Sequence, residues 1–344
     1  MSEEKTKPTI AILQGDPAGI GPELLVKLLN SEGLLASANV VVIGDPAIFR
    51  RGEQIAGECV EQLRFVSGAD TIAFSQGPLL HVDMVFPGIA ETPLGQVSAV
   101  GGRSSVQALH KSLELARAGV VDGIVFMPFN KASMHLGGNE FTDELGYAKK
   151  FFGIQTDVSE FNVAHGMWNG RITSHVAMKD VAALLTRKRV EEGIELADRT
   201  LRLAGYARPR IVVAAYNPHA GDSGLLGTEE VDVIAPAVQA LQRRQLDVSG
   251  PLPADTLWLK VRDGHYDVVV TMYHDQGQIA IKLLGFDQGV SVLAGLPVPI
   301  TTPAHGTAFD IAGQNRANLA PTRNAFAMAV EMAQRNRQAK GEQP

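Results

Sequence analysis

Short apolar runs alternate with longer helix-like stretches along this chain, and that alternation limits its possible folds more than any other feature. The runs are TIAILQ, NVVVIGD, GIVFMPF, TSHVAM, RIVVAAYNP, YDVVVTMYH and GVSVLAG; between them lie PELLVKLL, GRSSVQALHKSLELARAG and RVEEGIELADRTLRLAG. Runs rich in β-branched residues suit strands covered on both faces. Their alternation with helical segments predicts an α/β protein with a mainly parallel sheet. With 344 residues the chain is long enough for two domains, because single cores stop growing near roughly 250–300 residues. No Pro/Gly/Ser linker separates them, so the chain is expected to cross on ordered elements. There is no internal repeat, and only the tail AQRNRQAKGEQP reads as frayed beyond a last helix.

Charge and cysteine content narrow the function. The net charge is -6 and no basic stripe is present, which argues against nucleic acid as a partner. The start, MSEEKTKPTIAIL, is polar and runs directly into a strand-length apolar segment. No window reaches the roughly 20 apolar residues of a membrane span. A cytoplasmic protein without membrane association is therefore expected. Cys59 is the single cysteine, which rules out an intrachain disulfide and a thiolate zinc cluster. A metal would have to use histidine and carboxylate.

Polar residues gather where apolar runs end. In open α/β sheets, ligands bind at the carboxyl ends of strands. QGDPAGIGPELL places Gly15, Gly19 and Gly21 between a strand and a helix that opens with Pro22 and Glu23. Its spacing is neither that of a Rossmann fingerprint nor that of a P-loop. It reads as a structural turn or, through Asp16, as part of a cleft. Asn130 and Lys131 follow GIVFMPF directly, making Lys131 a candidate acid or base. His175, His219 and His274 each fall at a strand end. Three imidazoles from separate strands can hold a divalent ion and leave positions open for substrate. Asp255 and Asp275 are candidate catalytic carboxylates, further ligands, or acceptors behind the imidazoles. His305, Gly306, Thr307, Ala308 and Asp310 form a loop whose glycine permits close approach of a ligand, and NRANLAP supplies amides suited to a nucleotide.

Taken in order, GDPAGIGPE, NPHAGD, GTEE, GPLPADTL, MYHDQG and HGTAFDIAG resemble the 4-hydroxythreonine-4-phosphate dehydrogenase family, the PdxA family of vitamin B6 biosynthesis, and its paralogues. The similarity runs from about residue 9 to residue 326. The last loop also resembles that of isocitrate and isopropylmalate dehydrogenases.

This resemblance implies a two-domain α/β/α sandwich of that dehydrogenase type, with its active site in the interdomain cleft at a homodimer interface. The boundaries it implies are residues 1–128 plus 271–344 for a nucleotide-side domain and 129–270 for a metal and dimerisation domain. One divalent metal would be held by His175, His219 and His274, the last from a partner subunit. His305 to Ala308, Asp310 and Asn318 would border NAD or NADP. The chemistry implied is oxidation of a secondary alcohol of a small anionic hydroxy acid, followed by loss of CO₂ from the β-keto acid. Zinc, magnesium, manganese and cobalt all stay open, with three imidazoles favouring zinc-like ions. Lys131 or a water would take the proton.

The substrate positions depart from the family pattern. Thr142 and Asp143 stand where His and Thr are expected, Ser291 where an Asn is expected, and Ile300 where an Arg is expected, while Lys282 is retained. Losing an arginine removes a forked donor for phosphate or carboxylate. Asp143 would bring negative charge toward the same pocket. A paralogue acting on threonate or erythronate 4-phosphate, or on an aromatic dihydrodiol carboxylate, is therefore the alternative. Two rivals belong to other classes: a metal-dependent hydrolase or aldolase using the histidines without nucleotide, and a non-catalytic ligand-binding protein.

Overall fold

The computed structural model describes residues 7–66, 72 and 77–341. The chain forms two compact units, Met1–Ile154 with Leu296–Pro344, and Gln155–Gly295. The expected boundaries, at 128/129 and 270/271, each fall earlier in the chain than these. The helices Lys131–Leu136 and Glu144–Phe152 stay with the first unit, and the helix His274–Gly285 with its following strand stays with the second.

The first unit begins with β1 (Thr9–Leu13), β2 (Asn39–Gly44), β3 (Arg64–Val66), β4 (Leu79–Asp83) and β5 (Gly123–Phe126). The second contributes β6 (Ser159–Ala164), β7 (Met167–Arg171), β8 (Ile211–Ala214), β9 (Val248–Leu252), β10 (Val268–Thr271) and β11 (Val290–Ala294). The chain then returns to the first with β12 (Ile300–Pro303). In the first unit the strand order is β3-β4-β2-β1-β5-β12, and every pairing is parallel. In the second it is β11-β6-β7-β10-β8-β9. There the pairings among β7, β10, β8 and β9 are parallel, whereas β6 runs antiparallel to both β7 and β11.

Burial explains these pairings. Every residue of β1, β5, β8 and β10 is buried, as befits parallel strands with helices on both faces. In the second unit, Leu257 and Val261 of the helix Ala254–Arg262 pack on Val212, Ala214 and Val269. Parallel strands send their carboxyl ends the same way. The turns after β1, β5 and β12 therefore share one edge of the first unit, and those after β7, β8 and β10 share one edge of the second.

Two local expectations change. TSHVAM is not a strand: β7 ends at Arg171, and Thr173 to Ala177 form a loop before the helix Met178–Leu184. His175 has φ 49°, a left-handed backbone that no strand can carry. Of the tail, residues 333–339 belong to the helix Ala320–Ala339, and residues 342–344 lie outside the described residues. Among the described residues no helix is long and apolar enough to cross a membrane.

Candidate functional site

In the first unit the glycine-rich turn after β1 supports another loop. Every residue from Gln14 to Val26 is buried. Its amides are used internally: Ala18 N donates to Asp16 Oδ1 at 2.8 Å, Gly19 N to Asp16 O at 3.1 Å, and Ile20 N to Thr307 O at 3.1 Å. A Cβ on Gly19 would lie 2.9 Å from Thr307 Cβ, and one on Gly21 would lie 2.4 Å from Gln14 O. These glycines exist for close packing of chain on chain. Asp16 is fully enclosed, and burial raises its carboxyl pKa against the opposing bonds from Ala18 and Ser133. The reading of Asp16 as a cleft residue does not survive this burial.

The loop that the turn supports is the one expected to border a nucleotide. His305 Nδ1 lies 3.1 Å from Gly306 O, and burial lowers the imidazole pKa, favouring the neutral ring. A Cβ on Gly306 would meet no atom within 4 Å, so this stretch of backbone faces open space. Thr307 is buried with its carbonyl committed to Ile20, and Ala308 is left-handed at φ 43°. Asp310 is exposed in the short turn Phe309–Ile311. Ala317 N donates to Glu23 Oε1 at 3.0 Å, and Asn318 Oδ1 accepts from Ala320 N at 3.0 Å at the start of the last helix. The loop is thus pinned from behind and exposed in front.

The remaining expected residues of this unit divide. Lys131 is exposed on the first turn of a helix whose cap, Asn130, accepts from Ser133 N at 2.9 Å. Thr142 is exposed. Asp143 caps the helix Glu144–Phe152 through Gly146 N at 2.8 Å. Its charge favours the helix's positive end. Ile300 is fully buried and pairs in register with Ile124 of β5. It is a core side chain and cannot line a pocket.

In the second unit the histidines sit at the shared carboxyl edge. The rings of His175 and His274 lie 5.6 Å apart, centre to centre, tilted by 41°. Two imidazoles on one tetrahedral ion at ~2.0–2.1 Å would set their centres roughly 5 Å apart, so the pair fits a shared metal. His274 Nδ1 lies 2.7 Å from Asp275 Oδ1, so Nε2 is the atom that would face an ion. The two rings approach each other within the one chain described. His219 does not join them: among the described residues no three His, Cys, Asp or Glu side chains assemble into a metal-binding group. His219 is exposed and opens a left-handed stretch from His219 to Ser223, with φ of 54°, 56°, 75°, 43° and 58°. Glu230 anchors that loop, accepting from Tyr216 N and Asn217 N, each at 2.7 Å.

Sequence reasoning missed Gln276. Its Oε1 accepts from Met272 N at 2.7 Å and its Nε2 donates to Ala215 O at 2.7 Å, tying the end of β10 to the end of β8. The only available signal was its place in MYHDQG, two residues after a histidine. Lys282 is exposed on the same helix. Ser291 is buried beneath it, donating to Glu160 Oε1 at 2.7 Å and accepting from Asn162 Nδ2 at 2.9 Å. Asn162 Oδ1 accepts from Gln278 Nε2 of the helix, which makes Ser291 part of the support beneath Lys282. Asp255 is exposed in the first turn of its helix.

Comparison with known proteins identifies the family. A Pseudomonas aeruginosa protein provisionally named 4-hydroxythreonine-4-phosphate dehydrogenase 2 is 50% identical over 328 residues, covering 94% of this chain and 97% of its own length. A D-threonate 4-phosphate dehydrogenase from Salmonella typhimurium is 37% identical, covering 94% of this chain and 99% of its own. The crystal structure of 4-hydroxythreonine-4-phosphate dehydrogenase from Klebsiella pneumoniae superposes with a TM-score of 0.82 at 36% identity, over 96% of this chain and 100% of that one. The model of the pyridoxal phosphate biosynthetic protein PdxA matches residues 36–329. With relatives aligned along nearly its whole length and the family model spanning most of it, the chain belongs to the PdxA family.

Proposed function

We propose that this protein is a metal- and NAD(P)-dependent dehydrogenase that oxidises a secondary alcohol of a small anionic hydroxy acid, the resulting β-keto acid then losing CO₂. The observation that carries this reading is the His175–His274 pair, spaced for one ion, with Asp275 behind His274. A divalent ion there would supply Lewis acidity to the substrate's hydroxyl and carbonyl oxygens. The chain's own groups do the rest. Asp275 fixes the tautomer and direction of His274, Lys282 offers an ammonium to an anionic end of the substrate, and Lys131 or a water takes the hydroxyl proton. Nucleotide would be received by the exposed face of the loop from His305 to Asn318.

His219 completes the ligand set in this reading, in a homodimer with shared sites. Exposed apolar side chains flank each histidine: Val176 and Met178 after His175, Leu225 and Leu226 after His219, Ile279 and Leu283 after His274. Leu225 is 78% and Leu283 83% exposed, which supports the homodimer reading.

The relatives' names suggest two phosphorylated substrates, 4-hydroxythreonine 4-phosphate and D-threonate 4-phosphate. The test is NAD(P)H formation by metal-loaded protein with 4-hydroxythreonine 4-phosphate, D-threonate 4-phosphate, erythronate 4-phosphate and an aromatic dihydrodiol carboxylate. Turnover of any member supports the reading and names the substrate. No turnover together with no nucleotide binding would remove it in favour of a hydrolase, aldolase or binding protein.

A further inference from the structure

Among the side chains behind the loop from His305 to Asn318, one is a carboxylate where a neutral group would be easier to bury. Glu23 lies in the first turn of the helix Gly21–Leu29 and is 1% exposed. Its Oε1 accepts from Ala317 N at 3.0 Å, with Lys27 Nζ at 3.4 Å. Its Oε2 is enclosed with no hydrogen-bond partner among the described residues. A buried carboxylate oxygen without a partner opposes folding, so this bond to Ala317 is held at a cost to stability. A charge-assisted bond to a backbone amide is also stronger than a neutral one, which suits a group whose task is to fix a position.

The position fixed is in the middle of the loop's second half. Asn315, with φ 57°, donates from Nδ2 to Ala56 O at 3.1 Å, and Asn318 Oδ1 holds Ala320 N. Glu23 acts between these two points. The first half is held separately, by Ile20 N on Thr307 O and by the close fit of Gly19.

We infer that Glu23 is a positioning residue for the coenzyme: by holding the amide of Ala317 it sets the backbone of residues 315–318 in the shape that receives the nucleotide. This rests on the reading of that loop as the nucleotide site. It assigns the GDPAGIGPE segment a role without making it touch phosphate. Without the carboxylate, Ala317 N becomes a buried donor with nothing to bond, and the segment relaxes toward another acceptor.

The experiment compares the wild type with Glu23→Gln, Glu23→Asp and Glu23→Ala by NADH fluorescence titration, with KM for NAD(P), kcat and zinc affinity measured on the same samples. Glu23→Gln keeps an acceptor oxygen in place and should bind NADH within about threefold of wild type. Glu23→Ala should weaken binding by about tenfold or more and raise KM for NAD(P), with kcat at saturation changed far less and zinc affinity unchanged. Glu23→Asp keeps the charge but not the reach and should also weaken binding, which preserves the test if the alanine variant does not fold. Equal NADH affinity in wild type, Glu23→Asp and Glu23→Ala overturns the inference. So does a uniform loss of nucleotide and zinc binding, which would mark a general structural role. Absence of NADH binding in the wild type removes the nucleotide reading itself, and the inference with it.

Discussion

At the carboxyl end of β1 the residues from Gln14 to Val26 are all buried, whereas at the carboxyl ends of β7 and β8 His175 and His219 are exposed on left-handed backbone. β1 and β8 are both apolar parallel strands, and the turns after both carry glycine and polar residues. They differ in where their hydrogen-bonding groups go. After β1, the amides of Ala18, Gly19 and Ile20 are bonded within the protein, so the turn can only support its neighbours. After β8 and β10 the backbone is held from below, by Glu230 and Gln276, while the His219 imidazole stays at the surface. A glycine-rich strand-turn-helix thus shows that tight packing is needed, not what is packed; ligand atoms in place of chain would look the same in sequence.

The sharpest way to break this contrast is to remove a histidine. His175→Ala or His274→Ala should lose turnover by on the order of a thousandfold or more, beyond the 10–100-fold typical of a group behind a ligand. NADH titration of the same variants should be unchanged. Next in size is Ile300→Arg, which puts an unpaired charge into the core beside Ile124 and should cost about 3–5 kcal/mol of stability. A folded Ile300→Arg protein with wild-type melting and improved use of a phosphorylated substrate would show that the side chain reaches a pocket after all.

Asp275→Ala should weaken metal binding by roughly 10–100-fold, measured by competition with a chelator, because His274 loses the acceptor that aims its ring. Gly19→Ala tests the supporting edge: its methyl would press on Thr307, with an expected loss of about 1–3 kcal/mol in chemical unfolding. Metal affinity should not follow that loss.

The smallest expected effect is a pH dependence of stability through His81. This ring is fully buried, with Nδ1 2.8 Å from Asp83 Oδ1 and Nε2 3.1 Å from Gln14 Nε2. Burial lowers its pKa, with Asp83 opposing. The unfolded chain therefore takes up a proton below about pH 6.5 before the folded one does, and stability present at neutral pH is lost as pH falls through that window. His81→Gln should flatten that part of the stability curve relative to wild type. Parallel curves would mean that His81 does not titrate differently on folding.

Much of the fold was legible because VVVIG, GIVF and VVVT are buried along their whole length, so composition alone marks them as interior strands. The hairpin of β6 and β7 was not legible. Its strands are polar at Glu160, Asn162, Asn169 and Arg171, and its turn is His165-Gly166, both at positive φ, in place of the more familiar Asn-Gly. TSHVAM misled for the converse reason: its apolar residues serve a loop and the start of a helix. At the candidate site, His175 and His274 were singled out from the sequence and their rings do come near each other, although the strand expected around His175 is a loop. The supports were not, because Gln276, Glu230 and Glu23 act through bonds to backbone atoms that only folding brings near. Ile300 shows the limit of spacing, since a count along the chain cannot tell which face of a strand looks inward.

The most direct test of the metal-dependent dehydrogenase reading is turnover by one preparation, stripped with a chelator and then titrated with zinc, using whichever panel substrate the protein accepts. The account predicts no NAD(P)H formation from stripped protein, recovery with zinc at one ion per site, and no recovery in His175→Ala. Full turnover by the stripped protein, or by zinc-treated His175→Ala, would contradict it.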